Sequence, residues 1–280
     1  MTASAERALL RTGVPTLHTR CEAWECDYNG HWNTRYYCRS FEAAGRVAVA
    51  LAGNVGQEHA RPSQRHLRFH RELKSGDPVA ICSFAILDAH ELPLTAHYMF
   101  RYDKVVATAL DYGLARNARL PVLPAAEAMQ ALPRGLTGPR VEFSEPNSPR
   151  HFVYELGPVR ADELDAEGAM QFWHAVVRMS SAAHHHDLGI GFTPQLIQDR
   201  GIGRMLAELR FDWLGPCTQH DFMRAASRLT SAKGKAFTAA HFLYTHGGAP
   251  IAMFELCTLA VDMNTRRAIE LPEFVAARLS

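Results

Sequence analysis

The stretch WECDYNGHWNTRYYCRSFEAAG, Trp24 to Gly45, decides the fold. Its beginning is polar and irregular: Glu25, Asp27, Asn29, Gly30, His31 and Asn33 crowd together in a composition that makes turns and helix caps. The rest is periodic. Tyr37, Phe41, Ala44, Ala48 and Leu51 recur at steps of four and three, the spacing of one apolar helix face, and Gly53 supplies a stop.

The same order returns later in the chain. ECDYNGHWNTRYYCRSFEAAG from Glu25 is echoed by ELDAEGAMQFWHAVVRMSSAA from Glu163, with Glu25, Asp27 and Gly30 matching Glu163, Asp165 and Gly168. LTAHYMF from Leu94 is echoed by FTAAHFLY from Phe237, which sets His97 and His241 at matched places in strands. Between the copies, Leu132 to His151 is rich in Pro, Gly and Ser and reads as a linker. The expected division is 1–145 and 146–280.

After the first helix come HLRFHREL, DPVAICSFAIL, LTAHYMFRY and VVATALDYGLARN, strand-like runs separated by turn signals such as KSGD. One long helix followed by antiparallel strands describes a sheet that buries its face by wrapping that helix. A lone copy leaves a sheet edge exposed, so two copies joined edge to edge are expected, an α+β fold in tandem.

Composition narrows the function. The chain has 280 residues, 47% hydrophobic and 21% charged, with a formal net charge of +1. That rules against disorder and against the basic field a nucleic acid needs, and points to a small partner. Six cysteines without a C-x-x-C pair suit buried thiols in a reducing compartment. The N-terminus lacks a signal-peptide pattern, and no run approaches the ~18 apolar residues of a membrane span, so a cytoplasmic protein without membrane contact is expected.

The residues WECDYNGHWNTRYY and FHRELKSGDPV, within residues 15–125, resemble the hotdog-fold acyl-thioester hydrolases of the 4-hydroxybenzoyl-CoA thioesterase type. The spacing D-x-N-x-H-x-N at Asp27, Asn29, His31 and Asn33 is also similar to the active-site stretch of plant acyl-ACP thioesterases, which employ a further glutamate in a context like that of Glu72. The second half resembles the fold more weakly, so the resemblance implies a double hotdog. It further implies acyl-CoA or acyl-ACP as substrate and no cofactor, and leaves a homo-oligomer of double-hotdog units open.

The chemistry of the residues agrees. Thioester hydrolysis needs an activated water or carboxylate nucleophile, and donors where negative charge develops. Asp27 is the candidate base or nucleophile, and Asn29 and His31 orient water and thioester. Gly30 lets the backbone approach a carbonyl, with N–H groups from His31 to Asn33 expected to point at its oxygen. Asn33 caps the helix, Trp32 lines an acyl channel, and Glu72 approaches from a neighbouring strand to set the protonation of His31. Each has a plainer reading as well: Asp27 and Asn29 as an Asx turn, Asn33 as a cap only, Glu72 as a solvated glutamate.

In the second half Glu167, Ala169 and Gln171 replace Asn29, His31 and Asn33, and Trp213 falls near the place of Glu72. One working site per chain is therefore expected, with an Asp165–Glu167 site as the minority reading. His184, His185 and His186 are consecutive, point in different directions and cannot converge on a metal; they suit a helix end. No dinucleotide loop, Walker loop, H-E-x-x-H or serine elbow is present. DYNGH also departs from the D-x-N-P-x-H spacing of enoyl-thioester hydratases, and a non-catalytic acyl-thioester binder is the rival from another class.

Overall fold

The computed structural model describes residues 2–27, 29–53, 60–87, 93–115, 117–142 and 151–279. The chain forms two compact units, Met1–Arg134 and Gly135–Ser280. The division falls earlier than residue 145 because the start of the Pro/Gly segment is tied to the second unit. There the Glu208 carboxylate accepts the Gly135 and Leu136 N–H groups at 2.8 and 3.1 Å, and the Arg210 guanidinium donates to the carbonyls of Leu136, Gly138 and Pro139.

The first unit opens with helix α1 (Ala3–Thr12), whose N-cap Thr2 accepts the Ala5 N–H and which buries Glu6 and Leu9. Strand β1 (Val14–Arg20), a 3₁₀ turn at Ala23–Glu25 and helix α2 (Thr34–Ala52) come next, then β2 (Gln64–Phe69), β3 (Pro78–Leu87), β4 (Pro93–Arg101) and β5 (Lys104–Tyr112). The strands pair antiparallel in the order β1-β3-β4-β5-β2. All four strands expected from the sequence are present, and α1 and β1 add to them. Tyr37, Cys38, Phe41, Ala44 and Ala48 form the buried face of α2, and Gly53 ends the helix in the left-handed conformation.

Beneath α2 a line of buried polar groups crosses the sheet. The Arg65 guanidinium donates two bonds of 2.5 Å to the Asp111 carboxylate, and both side chains are buried. His97 Nε2 lies 3.4 Å from Asp111, and His97 Nδ1 is 2.7 Å from the Ser83 hydroxyl. Burial alone pushes the Asp111 carboxyl up, but the Arg65 guanidinium, with help from His97, outweighs it and holds the group at about 2. Gly45 lets the helix sit this close, since a Cβ there would lie 3.0 Å from the Arg65 guanidinium and 3.2 Å from the Asp111 carboxylate.

The second unit repeats the plan: β6 (Phe152–Pro158), a 3₁₀ turn at Ala161–Glu163, α3 (Phe172–Gly189), α4 (Pro194–Arg200), β7 (Ile202–Trp213), β8 (Phe222–Lys233), β9 (Ala236–Thr245), β10 (Pro250–Asp262), β11 (Arg267–Ala268) and α5 (Glu273–Ala276). Its strands pair antiparallel in the order β7-β10-β9-β8-β6, with β11 on β10. His241 meets the Ser227 hydroxyl at 2.8 Å, as His97 meets Ser83. Stepping along the register from the matched histidines puts Leu209 and Leu256, facing each other, where the first unit has Arg65 and Asp111. His184 to His186 occupy the last turns of α3, with His186 buried against the His241 ring. Burial, with repulsion from His186, holds His241 down at about 3.

All six cysteines are free thiols and all but Cys26 are buried. No helix among the described residues is long and apolar enough to cross a membrane.

Candidate active site

The polar loop closes on itself. Asp27 Oδ1 accepts the N–H groups of Asn29 and His31 at 2.8 and 3.1 Å, the Asp27 N–H donates to the His31 carbonyl at 2.7 Å, and the Gly30 N–H donates to the Asp27 carbonyl at 2.9 Å. This is an Asx turn, and it requires Gly30 at φ +74°. No atom lies within 4 Å of a Cβ built on Gly30, so the glycine serves the turn and fronts open space. Among the described residues nothing bonds to Asp27 Oδ2.

The second unit makes the same loop without the histidine. Asp165 Oδ1 accepts the N–H groups of Glu167 and Ala169 at 3.1 and 3.0 Å, and Gly168 takes φ +76°. The turn is thus a property of D-x-x-G and not of the residues placed on it.

The expectation that N–H groups from His31 to Asn33 await a carbonyl is not met. The His31 N–H is held by Asp27, the Trp32 N–H donates to the Leu73 carbonyl at 2.8 Å, and the Asn33 N–H donates to the Glu25 carbonyl at 3.0 Å. Asn33 is the N-cap of α2, its side chain accepting the Arg35 N–H at 3.2 Å. Trp32 is buried, 3% exposed, and faces the core instead of an open channel. Its indole N–H donates to Glu25 at 2.7 Å, and its ring packs on Tyr37. Glu25, buried as well, is also bound by the Arg39 guanidinium. Among the described residues, the first helical N–H, that of Thr34, has no intrahelical partner.

Glu72 arrives from just beyond β2 and not from within a strand. On one side of it, the His70 and Arg71 N–H groups both donate to the Val106 carbonyl, and the Arg71 guanidinium reaches Glu6 on α1 at 3.0 Å. On the other, the Leu73 N–H donates to the Tyr37 hydroxyl at 3.1 Å, and the Leu73 carbonyl accepts the Trp32 N–H. Between these anchors Glu72 Oε2 lies 3.0 Å from His31 Nε2. The His31 side chain is 13% exposed and that of Glu72 30%, so the pair is sheltered yet open to water.

In the second unit the place of Glu72 is taken by Pro216 and not by Trp213. Lys74 donates its N–H to the Asp77 carboxylate and Cys21 its N–H to the Asp77 carbonyl; Thr218 and Val159 make the same bonds to Asp221, which fixes the register. Ala169 and Pro216 therefore stand where His31 and Glu72 meet. Among the described residues no cluster of three or more His, Cys, Asp or Glu side chains is arranged to hold a metal ion.

Residues 159–279 match the Thioesterase-like superfamily. Two solved structures align with nearly the whole chain. The 12:0-ACP thioesterase from Umbellularia californica has a TM-score of 0.61 at 11% identity, covering 87% of this chain and 93% of its own. An acyl-ACP thioesterase from Bacteroides thetaiotaomicron has a TM-score of 0.57 at 11% identity, covering 92% and 100%. The chain is a double hotdog. No curated protein matches it. The family match falls on the hotdog unit whose loop lacks the histidine, while the His31–Glu72 pair belongs to the other. Of the residues singled out by sequence, Asp27, Asn29, His31 and Glu72 lie together at this loop, whereas Trp32 and Asn33 serve the core and the helix cap. Sequence reasoning missed the Tyr37 hydroxyl and the buried Glu25, although Glu25 and Glu163 are visible as matched carboxylates in the repeat.

Proposed function

We propose that the protein hydrolyses an acyl thioester at the first hotdog unit. The observation that carries this reading is the His31–Glu72 contact of 3.0 Å beside the Asp27 loop, in a unit whose repeat keeps the loop and lacks the pair. With His31 Nε2–H turned to Glu72, the ring offers Nδ1 as an acceptor, which orients a water. Asp27 Oδ2 takes a proton from that water as its oxygen bonds to the carbonyl carbon. The Asn29 amide and the start of α2 stabilise the oxygen where charge collects. The C–S bond then breaks, and the leaving sulfur receives the proton from Asp27, giving the free acid and the thiol.

Acyl-CoA is the first substrate reading, although the loop resembles the hydrolases of both carriers and does not separate them. Acyl-ACP is the second reading, favoured by the likeness to acyl-ACP thioesterases along nearly the whole chain. A panel of thioesters of different acyl length on both carriers, with thiol release followed over time, decides between them and reads the acyl group.

Asp27→Asn tests the chemistry apart from the turn, because an asparagine oxygen accepts the same two N–H groups. Loss of the base is expected to lower turnover on the order of 10²–10⁴-fold. Asp165→Asn, made in the same turn of the other unit, should leave turnover within about twofold. Full activity in Asp27→Asn, or equal losses in the two variants, would overturn the assignment.

A further inference from the structure

The two units serve as controls for one another. Both keep the D-x-x-G turn, and both bury a glutamate against a helix arginine: Glu25 with Arg39, and Glu163 with Arg178. Those features belong to the fold. Among the positions that differ between the units, His31, Trp32, Tyr37 and Glu72 become Ala169, Met170, Ala175 and Pro216. Two of the four form the pair, Tyr37 grips the chain beside it through its hydroxyl, and the Trp32 side chain packs on Tyr37 and bonds to Glu25.

We propose that Tyr37, with Trp32, is a positioning residue for the His31–Glu72 pair, an inference that rests on the reading of that pair as the reacting site. Tyr37 lies on the first turns of α2, and its hydroxyl accepts the N–H of Leu73, the residue that follows Glu72. Trp32 follows His31 and donates its own N–H to the Leu73 carbonyl. Leu73 is therefore held at both its N–H and its carbonyl by residues on the His31 side of the site. The clamp is rigid. Leu73 and Tyr37 are buried, the Tyr37 ring sits 4.7 Å from Trp32 and edge-on to Phe69 at 5.5 Å, and the indole is fixed by Glu25. Burial pushes the Tyr37 hydroxyl well above its usual range, so it stays protonated and keeps an oxygen lone pair for Leu73. The second unit, without the pair, has no hydroxyl at Ala175 and no indole at Met170.

Tyr37→Phe removes one oxygen and keeps the ring. On the fastest thioester of the panel it should lower kcat about tenfold or more with KM within about twofold, since displacing a reacting group by a fraction of an ångström weakens chemistry more than binding. A general loss of structure would not discriminate by background, so the deciding measurement is a double-mutant cycle with Glu72→Gln, run by single turnover well below every melting point. If Tyr37 acts through Glu72, Tyr37→Phe should change the Glu72→Gln enzyme by less than about twofold. An equal tenfold loss in both backgrounds, or a wild-type kcat in Tyr37→Phe, overturns the proposal. Trp32→Phe, which removes the indole N–H, carries the same cycle if Tyr37→Phe does not fold. His31→Ala is measured alongside: a full rate there defeats the site reading itself, whereas a dead His31→Ala beside a fully active Tyr37→Phe defeats only the positioning role.

Discussion

The buried Arg65–Asp111 pair invites an experiment whose template is already in the chain. Removing one partner strands the other charge beneath α2, at a cost of about 3–5 kcal/mol. For a unit the size of Met1–Arg134, about 4 °C of melting temperature goes with each kcal/mol, so Asp111→Leu should lower its transition by roughly 12–20 °C. The second unit shows the apolar solution, Leu209 facing Leu256 at the matched positions. Arg65→Leu combined with Asp111→Leu should therefore recover most of the loss, although Leu at 65 alone or at 111 alone is severe. Acid adds a second readout. The Asp111 carboxyl is held at about 2, below its ordinary 3.8, so the stability it contributes is complete above about pH 4 and is lost as pH falls toward 2. The double variant should lack that part of the acid sensitivity. Calorimetry at pH 7 and near pH 3 measures both effects. Additive losses in the double variant, or a single variant within about 1 kcal/mol of wild type, would refute the account of the pair as two charges sustained only by each other.

Two further expectations concern the site. His31→Ala should reduce turnover on the order of 10²-fold or more, and Glu72→Gln, which keeps the side-chain length and an acceptor, should cost less, both read by thiol release with folding checked by melting. Gly30→Ala and Gly168→Ala should each destabilise by about 1–2 kcal/mol in urea titrations, since both glycines hold left-handed φ with open space around them, and strain without clash is the whole effect; a stabilised variant would show that the turn tolerates another conformation.

The legibility of the sequence divides along physical lines. Helix α2 and strands β2 to β5 are legible because their apolar period is strong and turn residues punctuate it. Strand β1 carries Pro15 and lies at the edge of its sheet, so its run Val14–Arg20 lacks the alternation that marks a half-buried strand. Asp27, Asn29, His31 and Glu72 are legible as a set. The destination of each backbone N–H in the loop is not, because it depends on where the Leu73 segment lies, a contact between residues far apart in the chain. The buried role of Trp32 is hidden for the same reason: its partner Glu25 is close in sequence, but the Leu73 carbonyl and the Tyr37 ring that complete its surroundings meet it only through packing.

A turn that keeps its shape whether or not it bears a histidine separates folding from chemistry. Neither the Ala169 nor the His31 side chain closes its loop, so a unit can lose or gain the histidine by point substitution without losing the turn, and the route is open to an engineer. Installing Ala169→His meets a turn already formed. Pro216→Glu is the harder step, because proline has shaped that segment around a fixed φ and a missing N–H, and the returning residue brings a donor for which the surrounding chain was not built.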